Sequence, residues 1–271
     1  MKVLVKGARS AGGKIGIALV LFSILLAIVG PFVAPYSHTR INFATKLKPP
    51  TTSHLFGTDA VGRDIFSRVL HGARLSLTSA VLVIVIAVSV GSIAGAIGGY
   101  CGGIADQVLM RVTDVFFAFP FLVLAMAVAA ALGPHFLNAV LALSIVWWPS
   151  YARLVRGLAL SLKHTEYVEA SRALGASTSM ILFRHILPNC YGQILAKATT
   201  DFGFAVLATA SLGFIGLGAQ PPSPEWGAMI ADGRTYILGF WWVATFPGLA
   251  IVITVLGFSL LGDAVQENLP R

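Results

Sequence analysis

The run Glu166-Tyr-Val-Glu-Ala-Ser-Arg-Ala-Leu-Gly-Ala-Ser177, closed a few residues later by Arg184-His-Ile-Leu-Pro-Asn189, is a polar island in a chain otherwise built for lipid. Hydrophobic residues make up 56% of the sequence, charged residues 11%, and the mean hydropathy is +0.83. Soluble domains carry about one-quarter charged residues, so this composition belongs to an integral membrane protein. The length of 271 residues accommodates about six spans of ~20 residues with their loops, and not a large soluble domain as well.

Working outward from the island, apolar runs occupy residues 15–33, 75–99, 115–132, 136–151, 194–217 and 240–261, separated by Gly, Pro and charged residues. They read as six transmembrane helices in an all-α fold. The first matches a hydrocarbon core of ~30 Å at ~1.5 Å rise per residue. A cleaved signal peptide is the rival reading, but the run is long for one and Phe32-Val33-Ala34-Pro35 offers no small-x-small cleavage site.

Charge sets the orientation. Lys2, Lys6, Arg9 and Lys14 precede the first run, which puts the amino terminus in the cytoplasm. An even number of spans returns residues 263–271 to the same side. It also places residues 152–193 inside, where Arg153, Arg156, Lys163, Arg172 and Arg184 agree with the rule. Arg40, Lys46, Lys48, Arg63, Arg68 and Arg74 in the first external segment run against it. The net charge of +8 is thus spread over span ends rather than gathered on a basic face, so nucleic acid is not an expected partner. Cys101 and Cys190 lack CxxC spacing and read as packing thiols.

The second and fifth runs are rich in small residues: Gly91, Ala94, Gly95, Gly98 and Gly99, and Gly203, Gly213, Gly216 and Gly218. Small residues let helix backbones approach closely where lipid supplies no hydrophobic drive. Tight packing is one reading, and helices that slide as a pathway opens is the other.

Within the island, Thr165 is placed to cap a short helix whose first turn holds Glu166 and Glu169, both favoured at the positive end of the macrodipole. Gly175 ends that helix in a left-handed conformation. Ser177, Thr178 and Ser179 cap a second helix over residues 180–186, which Pro188 is expected to stop. Ala170, Ala173, Leu174, Ile181, Leu182 and Ile186 form apolar faces too small for a core of their own, and they suit a groove on a partner.

The order Glu169-Ala170-Ser171, then Gly175, Ala176 and Leu187-Pro188, resembles the cytoplasmic coupling signature of permease subunits in binding-protein-dependent ABC importers. Two positions depart from it: Ser171 where alanine is usual, and His185 where a branched aliphatic is usual, with Ile186 one place late. His54-Leu-Phe-Gly-Thr-Asp-Ala-Val-Gly-Arg-Asp-Ile-Phe-Ser-Arg68, Gly216-Leu-Gly-Ala-Gln-Pro-Pro-Ser-Pro-Glu-Trp-Gly-Ala-Met229 and Phe258-Ser-Leu-Leu-Gly-Asp263 are similar to the second permease of the dipeptide, oligopeptide and nickel group. The resemblance covers nearly the whole chain. It implies the type I importer permease fold, with residues 1–74 as tail, first helix and external segment, 75–264 as the permease domain and 265–271 as a cytoplasmic tail. It also implies that Glu166, Glu169, Ala170, Ser171, Leu174, Gly175, Ala176, Leu187 and Pro188 couple to a cytoplasmic ATPase whose closure on ATP reorients the spans. The partners implied are a sister permease in a heterodimer, two ABC ATPase subunits that carry ATP and magnesium, and an external substrate-binding protein.

A Walker A loop is missing here: the nearest approach, residues 8–15, has Ala8 and Ile15 at defining places and runs into the first span. HExxH, GxSxG and metal-spaced His or Cys clusters are also absent, so no catalytic or metal role is assigned, and the six histidines read as solvated or interfacial. Lys197 and Asp201 are one helical turn apart inside the fifth run. They read either as a neutralised pair or as a substrate contact in the pathway. Arg111 and Asp114 read as a structural pair. Residues 220–239 should lie outside, with Glu225, Trp226, Trp241 and Trp242 as interfacial anchors. Glu225, Trp226, Asp232 and Arg234, together with residues 57–68, are candidate contacts for the binding protein, against the alternative of a loop that braces the external mouth. The function expected is import of di- or oligopeptides, with nickel uptake by the same family, an ion-coupled secondary transporter and a membrane enzyme as alternatives.

Overall fold

The computed structural model describes residues 11–267. Lys2, Lys6 and Arg9 of the expected basic tail, and residues 268–271, lie outside the described residues. The helices are α1 (Ala11–Val33), α2 (Ile65–Cys101), α3 (Gly103–Phe117), α4 (Phe121–Leu132), α5 (Phe136–Leu162), α6 (Glu166–Ala173), α7 (Thr178–Ile181), α8 (Leu187–Ile215), α9 (Trp226–Gly233) and α10 (Trp242–Glu267). A π turn, Leu182–Ile186, joins α7 to α8. Among the described residues the only β pairing is an isolated bridge between Thr58 and Asp64.

Four helical units are long and apolar enough to cross a membrane: α1, α2, the continuous Thr178–Ile215 unit, and α10. The α3–α4 pair qualifies as a fifth, bent by 92° at its break. Helix α5 has the length, 27 residues or about 40 Å. Its Trp147-Trp148-Pro149-Ser150 segment and Arg153 dilute its hydropathy, while Trp147, Pro149, Tyr151 and Ala152 are buried against the bundle and Leu137, Leu141 and Ile145 keep an apolar face outward.

Close glycine contacts fix the topology. Along α2, a Cβ at Gly91 would run into the Trp148 carbonyl oxygen, at Gly95 into that of Ala152, and at Gly99 it would meet that of Arg156 at 2.7 Å. Residue numbers rise together along this seam, so α2 and α5 run parallel, and the α3–α4 pair between them must return across the membrane. Gly30 of α1 packs on Leu70 of α2, Gly16 of α1 on Leu261 of α10, and Gly203 of α8 on Val255 of α10. These are antiparallel pairings. The result is six crossings in the expected order, with both described chain ends on the same side as α6. The tight-packing reading of the small residues accounts for these contacts.

Several boundaries differ from those expected. Helix α2 begins ten residues before position 75, because Asp64 caps it by accepting the Ser67 amide at 2.7 Å. The third crossing begins at Gly103, not 115, and is broken before α4 by Pro120, which has no amide to donate and disfavours helix at the preceding residue. Pro188 stops nothing: it occupies the first turn of α8. The Leu187 amide donates to the Leu182 carbonyl, five residues back, and this widened turn relieves the clash that the proline ring would make in a regular helix. Cys101 is exposed and is not a packing thiol, whereas Cys190 is buried.

Candidate coupling hairpin and the two mouths of the bundle

Helix α6 and the α7 unit form a hairpin at one end of the bundle. Gly175 adopts φ +81°, and the Ala176 amide reaches back to the Ser171 carbonyl at 3.1 Å, the six-to-one bond of a Schellman ending. Ser177 accepts the Met180 amide at 3.3 Å as the cap of α7. Thr165 sits at the cap position of α6 in extended conformation, but its hydroxyl donates to the Leu162 carbonyl instead of capping.

The hairpin is anchored from below. Val168, Ile181, Leu182, Ile186 and Cys190 are buried in a second core with Val155 and Ala159 of α5 and Ala96 of α2. This corrects the expectation that Ile181, Leu182 and Ile186 face a partner: they tie the hairpin to its own spans. The face left outward comprises Glu166, Tyr167, Glu169, Ala170, Ala173 and Leu174, with Leu174 89% exposed. Leu187 and Ala176 are half-buried against the second core, and Pro188 is exposed. Arg172 lies over the Tyr100 ring, 5.3 Å from its centroid, and Glu169 is 3.7 Å from His164.

Ser171 and His185, the two departures from the signature, touch each other: Ser171 Oγ and His185 Nε2 are 3.3 Å apart. They link α6 to the π turn, a contact invisible to a position-by-position reading.

Beside the hairpin, Arg156 of α5 grips Asp106 of α3 with two parallel bonds, and Arg153 pairs with Asp114 at 2.6 Å. Asp114 therefore takes Arg153 as its partner, from the facing helix, and not Arg111. Deeper in the bundle, Lys197 Nζ is 3.0 Å from Asp201 Oδ2, as its spacing implies. The same oxygen accepts Trp147 Nε1 from α5 at 3.0 Å, which the sequence did not disclose. Asp201 is buried, and Trp147 also lines an open cavity of about 330 Å³ with Phe121, Phe204, Leu207 and Ser211.

At the opposite mouth the expected surface anchors turn inward. Glu225 is buried and caps α9, accepting the amides of Gly227 at 2.9 Å and Ala228 at 2.8 Å, while Ser76 of α2 reaches it at 3.5 Å. Trp226 is fully buried and donates to the Val69 carbonyl at 3.1 Å. Trp242 is also buried, donating to the Thr58 carbonyl, so only Trp241 keeps an exposed anchor position. Glu225 and Trp226 are therefore unavailable as surface contacts in this conformation, because Gly213 and Gly72 open the space that takes them in.

Asp232 and Arg234 do remain exposed. Within residues 57–68, Asp59 pairs with Arg63 at 2.5 Å and lies 3.8 Å from Arg68, and Arg63 reaches Asp232 at 3.4 Å. This network, in which Asp59, Arg63 and Arg68 are buried and Asp232 is exposed, neutralises two of the arginines that ran against the charge rule. The arrangement ties residues 57–68 to α9 at this mouth of the bundle.

The chain matches the family model described as binding-protein-dependent transport system inner membrane component over residues 87–271, and that of the N-terminal TM domain of oligopeptide transport permease C over residues 9–50. It is 46% identical to the probable D,D-dipeptide transport system permease protein DdpC of Escherichia coli, over 93% of this chain and 84% of that protein. It is 40% identical to the di/tripeptide transport system permease protein DppC of Pseudomonas aeruginosa, over 97% and 88%. A chain of the MetNI methionine ABC transporter, solved in an inward facing conformation, superposes with a TM-score of 0.59 at 22% identity, covering 74% of this chain and 96% of that one, which bears on fold alone. With its six crossings and its hairpin, the chain belongs to the family of inner membrane components of binding-protein-dependent transport systems.

Proposed function

We propose that this chain is one of two permease subunits of an ATP-driven importer, forming half of the path for di- or oligopeptides delivered by an external binding protein. The observation that carries this reading is the outward face of the hairpin, where Leu174 is 89% exposed on a support held rigid by a buried core. An apolar side chain presented in this way, on a polar element whose inner face is already packed on its own spans, suits a groove on a motor protein. The names of the relatives, transporters of dipeptides and of di- and tripeptides, support the substrate class.

In this reading ATP and magnesium bind two ATPase subunits and no covalent chemistry falls to this chain. The sister permease supplies the other half of the path in a heterodimer. Both termini and the hairpin are cytoplasmic, and residues 75–264 make up the permease domain proper. Closure of the ATPases moves α6, and the second core passes the motion to α5 and α8, between which the Trp147–Asp201–Lys197 cluster sits. Asp201, already paired, serves as a lock between these helices beside the pathway. Asp232 and Arg234 are the candidate binding-protein contacts.

The test is mutation of the outward face. Glu169→Lys and Leu174→Glu should leave membrane insertion and subunit expression intact while abolishing substrate-stimulated ATP hydrolysis by the assembled complex. Unchanged stimulation in both variants would remove the docking role.

A further inference from the structure

A cleft of about 610 Å³ opens between α1, α2, α8 and α10. Its walls are apolar, among them Ile28, Phe32, Val81, Phe202 and Phe258, and the only polar side chains lining it are Arg74 and Thr78, one helical turn apart on α2. Arg74 is exposed, and among the described residues no hydrogen bond or ion pair reaches its guanidinium. Arg74 stands one place before the apolar run of residues 75–99, at the level where lipid headgroups meet the helix, and an unpaired guanidinium at that level suits an anionic partner. The neighbouring Arg63 and Arg68 have theirs within the chain.

We propose that this cleft binds an anionic glycerophospholipid, with its phosphate on Arg74 and Thr78 and an acyl chain along the apolar walls. The layout has the polarity of a lipid. Arg74 and Phe32 lie toward the mouth opposite the hairpin, near the start of α2 and the end of α1. Phe202 and Phe258 lie at mid-helix in α8 and α10. Val81 is about 10 Å deeper than Arg74 along α2, within the ~15 Å of half a hydrocarbon core.

Two other occupants fit less well. A peptide in transit brings amide groups that need hydrogen-bond partners, and apart from Arg74 and Thr78 these walls offer none; an acyl chain needs none. A helix of the sister subunit would have to cover α1, whose exposed residues, Leu21 at 60%, Leu25 at 59% and Ile28 at 63%, surround it with apolar surface as a lipid-facing helix does. The site does not depend on the substrate of the importer.

The experiment uses the assembled complex, titrated with phosphatidylglycerol or phosphatidylcholine and observed by native mass spectrometry, with a photo-crosslinking phenylalanine derivative at Val81 in a parallel preparation. Arg74→Gln should retain phosphatidylglycerol roughly tenfold less well, as expected for loss of one charge-assisted contact, and Arg74→Lys should retain it nearly as the parent does. The Val81 probe should yield an adduct with the mass of phosphatidylglycerol. Equal retention of the two lipids, unchanged retention in Arg74→Gln, or a Val81 crosslink to the sister polypeptide would each overturn the proposal. If Arg74→Gln fails to assemble, the lipid comparison and the Val81 adduct in the parent background decide it alone.

Discussion

Glu225 and Gly175 show how single residues set the behaviour of the two mouths. Burial pushes the Glu225 carboxyl up to about 7, against the Gly227 and Ala228 amides and the Ser76 hydroxyl that favour its ionised form. An unfolded glutamate titrates near ~4.3, so between roughly pH 4.5 and 7 the folded chain holds more protons than the unfolded one. Stability is therefore expected to fall as pH rises through that window and then level off. Glu225→Gln should flatten the slope, as read from thermal unfolding of the purified complex between pH 5 and pH 8. Gly175 stands at φ +81° with open space around the position of a Cβ, so Gly175→Val carries only the backbone penalty of a left-handed residue, about 1–2 kcal/mol. That local cost should lower substrate-stimulated ATP hydrolysis while global melting stays nearly unchanged. Gly175 is legible in the sequence because a glycine between two capped polar helices has one common use. Glu225-Trp226 is not, because a Glu-Trp pair beside a span reads alike whether it lies at an interface or folds beneath it; the deciding partners, Gly72 and Gly213, are distant in sequence.

Among the elements, the α2–α5 seam carries the bundle. Gly91, Gly95 and Gly99 recur every fourth residue and bring the two backbones together, so a larger side chain there must push a carbonyl aside. Gly95→Leu is expected to cost at least the 1–3 kcal/mol typical of overpacking and to lower the melting temperature of the complex. Gly157→Ala, on the face of α5 where a Cβ meets nothing, should be neutral or slightly stabilising by the helix propensity gained, up to about 1 kcal/mol. A similar loss in both variants would mean that the seam is not the tight contact described. Apolar runs reveal where helices cross, and so most spans are readable from sequence. Breaks and continuations are less so: Pro120 splits a crossing and Pro188 lies within a continuous helical unit, although the residue type is the same. The difference lies in the π turn Leu182–Ile186, which depends on the second core packing beneath it.

At the scale of the whole molecule, two polar ends are joined by a bundle whose interior charges are paired. On one end, residues 57–68 are held by the Asp59–Arg63–Arg68 ion network, and α9 is held to α2 by the Glu225–Trp226 insertion. On the other, the hairpin stands on its own core and turns Leu174 outward. The outward face of the hairpin is the proposed site for receiving force, and the sequence has no Walker A loop with which to generate it. Uptake of labelled dipeptide into proteoliposomes tests that division of labour most directly. The permease pair would be reconstituted alone, with its ATPases, and with ATPases, binding protein and ATP. Uptake is expected only in the last preparation, and should be lost when Leu174→Glu is introduced. Concentrative uptake by the permeases alone, driven by an ion gradient, would contradict it.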